Sequence, residues 1–175
     1  MKTNELDINE LRDRLYLDPE TGKVFWKPKS GNTRLVQSYN AQRAGKQAGY
    51  SHHRGYSYIE IGDKQYALHR VVFALHHGRW PVGEVDHING LRSDNRPANL
   101  REATKSQNQA NRGVQRNSKS GVKGVHYRTR TGKWRAQYKF QGKVYYAGDY
   151  ATIEEAKAAY EVSIRRCFGE FARVE

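Results

Sequence analysis

Asp86, His87, Asn95, Asn99 and Asn108 all fall within one stretch, EVDHINGLRSDNRPANLREATKSQN, running from Glu84 to Asn108. Their types suit hydrolysis of a phosphodiester with a single hard metal ion. A carboxylate and an amide oxygen are hard ligands but too few to cage an ion alone, so water and substrate phosphate must complete a magnesium-like shell. Imidazole has the unperturbed pKa nearest neutrality, which suits His87 to take a proton from water as it attacks phosphorus. The metal would stabilise the charge developing on the phosphate and on the leaving oxygen. Taken singly, each residue is more often structural: Asn89-Gly90 is an ordinary turn, and Asn99 suits the satisfying of a loop backbone.

The elements that must position these groups are legible locally. Val85 and Ile88 flank the Asp-His pair in a short strand, and Asn95 to Pro97 extends a polar loop. A second strand follows at Leu100 to Ala103. Thr104 and Gln107 form a capping box, so a helix starts there with Asn108 one turn inside it. The expected unit is strand, loop, strand, helix.

The spacing resembles the HNH endonuclease family in its phage-type His-Asn-Asn form. His87 matches the first motif residue, Asn99 twelve positions on the second, and Asn108 twenty-one positions on the third. By that resemblance Asp86 and Asn108 are the metal ligands, His87 is the general base and Asn99 braces the loop. Leu68-His69-Arg70 on an apolar helix, followed by Trp80-Pro81, is also similar to this family, and the resemblance covers roughly 15–112. It implies one divalent ion, Mg2+ by preference, and double-stranded DNA as substrate. His69 has a distinctive place in the pattern and no role derivable from sequence.

The 175 residues carry 31 Lys+Arg against 18 Asp+Glu, a net charge of +13, which favours a polyanionic partner. No apolar run is long enough to span a bilayer, and MKTNELDINE lacks a secretion signal, so a cytoplasmic protein is expected, in a bacterium or in a phage's host. The single cysteine, Cys167, excludes an internal disulfide framework and reads as a small buried residue.

Before the motif, Asp7 caps a short helix to Leu15, and Tyr16-Leu17 and Val24-Phe25-Trp26 form a hairpin about Asp18 to Gly22. Lys27 to Lys46 is polar, cationic and free of acids, which reads as a solvated loop or a phosphate-contacting arm. A second hairpin, Tyr56 to Ile61 and Gln65 to Leu68, leads into a helix over Ala67 to His77 that Gly78 stops. His76-His77 and His52-His53 read as ordinary surface histidines rather than ligands.

After a linker the chain holds no acid between Glu102 and Asp149. Trp134, Ala136, Tyr138 and Phe140 alternate with Arg135, Gln137 and Lys139, which describes a strand with one core face and one cationic face. Val122 to Arg128 and Lys143 to Tyr150 supply its neighbours. A capping box at Thr152 and Glu155 opens a helix whose stripe is Ile153, Ala156, Tyr160, Ile164 and Cys167, with Phe171 folding back as a lid. Gly121-Val122-Lys123-Gly124-Val125, Gly132-Lys133-Trp134-Arg135-Ala136 and Ala147-Gly148-Asp149-Tyr150 resemble the plant Apetala/ethylene-response-factor DNA-binding domain over about 120–174. The resemblance implies that Lys123, His126, Arg128, Arg130, Lys133, Arg135, Gln137, Lys139 and Tyr146 form a sheet surface that enters the major groove. His126 stands where an arginine is usual and Tyr146 where a tryptophan is, so the plant target sequence does not transfer.

The expected protein is α+β: a nuclease domain at 1–112 with a ββα-metal core at 84–112, a linker at 113–119, and a three-stranded antiparallel sheet packed on one helix at 120–175. The expected function is a homing-type endonuclease that nicks duplex DNA. Its main rival is a non-catalytic, sequence-specific DNA-binding regulator, and a basic-sheet RNA-binding protein comes third. Monomer and homodimer both remain open.

Overall fold

The computed structural model describes residues 5–53, 55–115 and 117–174. Its contacts divide the chain into two units, Met1–Glu102 and Ala103–Glu175, and each has its own apolar core.

In the first unit, α1 (Ile8–Arg14) is capped by Asp7, whose carboxylate accepts from the N–H groups of Asn9 and Glu10 at 2.8 and 3.3 Å. β1 (Leu15–Asp18) pairs antiparallel with β2 (Lys23–Trp26). Between them Gly22 adopts φ +68° and lies directly under the backbone of Asn95 and Arg96, where no side chain fits. The polar stretch that follows is more ordered than its composition suggests. Ten of its residues form α2 (Arg34–Arg43), with the Thr33 hydroxyl accepting from the N–H of Val36. Sequence periodicity misses this helix because it buries none of its residues.

β3 (Tyr50–Ser51), β4 (Ser57–Ile61) and β5 (Lys64–Ala67) form an antiparallel sheet in that order. α3 (Leu68–His77) leaves β5 directly and ends at Gly78, whose φ of +70° lets its N–H reach the carbonyl of Ala74 at 2.9 Å. Leu68, Val71, Val72, Phe73 and Ala74 of α3 are buried, a wider face than a single stripe. They share a core with Leu11, Leu15, Val24, Ile59, Val85 and Leu100. Each Leu, Val, Ile or Phe side chain among them contributes about 1.5 to 3 kcal/mol by leaving water. That core fixes β6 (Glu84–His87) and β7 (Leu100–Ala103), which pair as a two-stranded sheet. The approach to β6 is clamped as well. Arg70 donates to the carbonyl of Gly83 at 2.8 Å, while Glu102 accepts from the N–H of Val82 at 2.6 Å and from Arg79 at 3.0 and 2.6 Å.

Near the start of the second unit Thr104 forms the expected capping box with Gln107 and opens α4 (Lys105–Ala110). β8 (Val125–Arg128), β9 (Lys133–Phe140) and β10 (Lys143–Tyr150) form an antiparallel sheet with β9 central. β8 begins at Val125 rather than Val122, because Gly121 and Gly124 both turn to positive φ just before it. α5 (Ile153–Phe168), capped by Thr152 and Glu155, buries Ala156, Tyr160, Ile164 and Phe168 against the sheet. The stripe therefore ends on Phe168 and not on Cys167. Cys167 is only partly buried, and its thiol donates to the Tyr138 hydroxyl at 3.4 Å. Phe171 closes the same core. The whole is α+β, and among the described residues no helix is long and apolar enough to cross a membrane.

Candidate active site

The first unit buries Asp86, His87, Asn95 and Asn99 almost completely, at 4, 5, 6 and 8 % exposure. Buried polar groups are tolerated when they are hydrogen-bonded. Asp86 and His87 stand at the end of β6, seated through Val85 on the core. The chain then makes its polar excursion and returns through a 3-10 turn at Pro97–Asn99, where the N–H of Ile88 donates to the carbonyl of Asn99 at 2.9 Å.

Asn99 holds that excursion shut. Its side-chain oxygen accepts from the N–H of Asn89 at 3.0 Å, and its amide donates to the Asn89 side chain at 3.0 Å and to the carbonyl of Asp94 at 2.8 Å. Asp94 in turn accepts from Arg96 at 2.8 and 2.6 Å and from Asn89 at 2.9 Å; the Arg96 guanidinium chiefly holds its carboxyl well below the usual carboxylate range. The outcome is a loop whose shape is fixed by its own side chains.

That loop presents Asn95 to His87, with Nε2 and the amide oxygen 3.0 Å apart. An oxygen acceptor there requires the proton on Nε2, which puts the imidazole lone pair on Nδ1. Burial pushes the His87 imidazole below its usual range, and the Asn95 hydrogen bond and the charge of Asp86 pull partly back. A neutral imidazole is the form able to accept a proton. The ring is also enclosed laterally: the His69 centroid lies 5.2 Å away and that of Tyr56 6.2 Å, with Tyr56 and His69 5.5 Å from each other. Burial first, then the neighbouring His87 and Arg70, push His69 down to about 3. The structure thus places His69 against His87 as a neutral ring.

Two partners are not recognisable from the sequence. Asn95 stands out there as one of the polar residues of the stretch but with no role, since nothing in its spacing says that the loop folds back eight residues onto His87. Arg101 donates through Nε to Asp86 at 3.1 Å, and both side chains are nearly buried. Opposite charges on the paired strands β6 and β7 were the available signal. Asn108 lies on α4 in the second unit. Among the described residues no group of three or more His, Cys, Asp or Glu side chains is arranged to hold a metal ion. The carboxylate buried beside His87 is that of Asp86, and the amide oxygens of Asn95 and Asn99 accept from His87 and from the N–H of Asn89.

In the second unit, antiparallel pairing sets His126 opposite Arg135, Arg128 opposite Lys133, and Tyr146 opposite Gln137. With Ala136 in the core, these residues and Lys139 share the face turned away from α5. Trp134 lies on the core side, its ring 5.1 Å from that of Tyr127. Arg130 lies in the turn joining β8 and β9. The face is not purely cationic. Asp149 accepts from Arg135 at 2.6 Å through both oxygens, and the Arg135 guanidinium lies 5.0 Å from the Tyr146 ring centre. Lys123 is not brought to this face. It precedes β8, and its ammonium donates inward to the carbonyls of Ala110 and Arg173, with burial pushing it down to about 8.

Residues 66–110 match the family model described as HNH endonuclease, a span running from β5 to the end of α4 and containing Asp86, His87, Asn99 and Asn108. That domain makes the chain a nuclease, a hydrolase of phosphodiester bonds, and an HNH nuclease domain implies DNA as its substrate. No curated protein and no solved structure matches the chain.

Proposed function

We propose that this protein is a metal-dependent, phage-type homing endonuclease that nicks one strand of duplex DNA and is positioned by the sheet of its second unit. The observation that carries the reading is His87, buried beside Asp86 and held through Nε2 by Asn95 within the matched HNH segment. Nδ1 is the nitrogen that takes the proton from the attacking water. Asn99 keeps the loop in the shape that presents Asn95. Asp86 would offer a carboxylate oxygen to one divalent ion, Mg2+ by the hardness of that donor, and Asn108 is named as the second ligand by the family resemblance alone. When bound, that ion would stabilise negative charge on the phosphate and on the leaving oxygen. One such site per chain accounts for a nick, and a double-strand cut would take two copies or two successive events.

The second unit supplies position. Its sheet is of a size that fits a major groove, and its similarity in sequence to the Apetala/ethylene-response-factor domain supports that use. His126, Arg128, Arg130, Lys133, Arg135, Gln137, Lys139 and Tyr146 are the proposed contacts. Lys123 has a structural place instead.

Supercoiled plasmid incubated with the protein and magnesium should relax to the open-circular form. His87→Ala should stop this while leaving binding intact. The rival reading, a regulator that binds and never cuts, is favoured by one observation: the Asp86 carboxylate is already engaged by Arg101. A regulator would shift DNA in a gel equally with and without chelator, and the plasmid would stay supercoiled.

A further inference from the structure

We infer that α2 is a second DNA-binding element, a helix in the nuclease unit that lies against the duplex independently of the C-terminal sheet. The inference rests on the reading of the protein as a DNA nuclease and extends it to a surface that reading does not use. No Asp or Glu occurs between Glu20 and Glu60, while Lys23, Lys27, Lys29, Arg34, Arg43, Lys46 and Arg54 do. Within this stretch the chain folds into a helix that buries no side chain.

A ten-residue helix in water is marginal unless an apolar face packs. α2 lacks such a face, and Leu35 is 83 % exposed. What orders it is polar and local. Asn40 exchanges two hydrogen bonds with the backbone of Lys29 at 2.8 and 2.9 Å, Lys29 sits 4.3 Å from the Tyr39 ring centre, and Arg43 sits 5.2 Å from that of Trp26. These contacts draw Tyr39, Asn40 and Arg43 to one side. Arg34, Gln37, Ser38, Ala41 and Gln42 are left on the other, all exposed. That outward face has hydrogen-bond donors, one arginine and a small residue at its centre, and lysines and arginines stand at both ends of the helix.

Charge complementarity selects the occupant. An acid-free surface of amide, hydroxyl and guanidinium donors matches phosphate and sugar oxygens, and a single α-helix is the shape that a major groove admits. An apolar protein partner would find little on this face beyond Leu35. The occupant is therefore the substrate duplex itself, flanking the site of cutting.

The test measures binding of the full-length protein to a labelled duplex in chelator, by fluorescence anisotropy across a range of salt. Removing one phosphate-binding cation should make the salt slope shallower by about 1, so Arg34→Gln/Lys46→Gln, exposed cations at the two ends of α2 and outside the contacts that order it, should flatten it by up to about 2 and weaken binding several-fold or more at moderate salt. The control, Lys157→Gln/Arg165→Gln on α5, removes the same charge from a helix behind the sheet and should leave the slope near that of the wild type. Arg34→Glu alone, at an exposed position that cannot disturb the core, should weaken binding several-fold. The inference is overturned if the α2 double variant and the α5 control behave alike, or if Arg34→Glu binds as the wild type does. Plasmid relaxation in magnesium separates the two failures. A wild type that nicks while α2 proves neutral retires only this inference, whereas a wild type that never nicks retires the nuclease reading beneath it.

Discussion

Gly22 lies far from the Asp-His pair in sequence, yet its replacement should damage the site more than most substitutions within it. A Cβ at Gly22 would stand 2.5 Å from the carbonyl oxygen of Asn95 and closer still to two neighbouring backbone atoms, where ordinary contact begins at 3.4 Å. Gly22→Ala therefore requires the loop to retreat by about 1 Å. A retreat of that size stretches the 3.0 Å His87–Asn95 hydrogen bond to about 4 Å, beyond any useful hydrogen bond. The φ of +68° adds roughly 1 to 2 kcal/mol for a residue bearing a Cβ, and the overlap adds about 1 to 3. For a unit of this size the sum lowers the melting temperature by roughly 10 °C or more. Misplacement of a reacting group by about 1 Å costs on the order of 100-fold in rate. Differential scanning fluorimetry gives the first quantity, and plasmid relaxation in magnesium, run well below the melting point, gives the second. A variant that melts and nicks as the wild type does would refute the claim that this turn supports the loop beneath Asn95.

Three further outcomes follow from the same geometry. Asn95→Ala leaves the buried His87 N–H without its acceptor and should cost about 1 to 3 kcal/mol of stability together with most of the cleavage rate, read by thermal melts and single-turnover kinetics. Glu102 is held at about 2, first by its hydrogen bonds with Arg79. A depressed carboxylate contributes its stability fully above the ordinary value near 4.5 and loses it as pH falls from there toward 2, so melts across that window should show a decline that Glu102→Gln lacks. Asp149→Asn releases Arg135 from its two-oxygen partner, and duplex binding should tighten with a salt slope steeper by about 1.

Elements with a strong local signal were legible in the sequence. The capping boxes at Thr104 and Thr152, the stop at Gly78 and the alternation through Trp134 to Phe140 all depend on neighbours in the chain, and the structure has a helix or strand at each. The motif likewise announced itself, because Asp86 and His87 are adjacent and Asn99 closes a short loop. What sequence left obscure depends on folding back or on the absence of apolar pattern. Asn95 reaches His87 only through the loop's own hydrogen bonds. Arg101 meets Asp86 only once β6 and β7 are paired. α2 has no buried face to betray it, and Lys123 turns inward because the carbonyls of Ala110 and Arg173 await its ammonium.

The central claim is that the His87 imidazole performs proton transfer at a DNA phosphate with help from a divalent ion. Single-turnover cleavage of a duplex labelled on each strand in turn tests it most directly, comparing wild type with His87→Ala in magnesium and in chelator. The account predicts a cut in one strand, seen only with magnesium, and a rate at least about 100-fold lower in the variant while both proteins bind the duplex equally. Equal rates from the two proteins, or an intact duplex throughout, would contradict it.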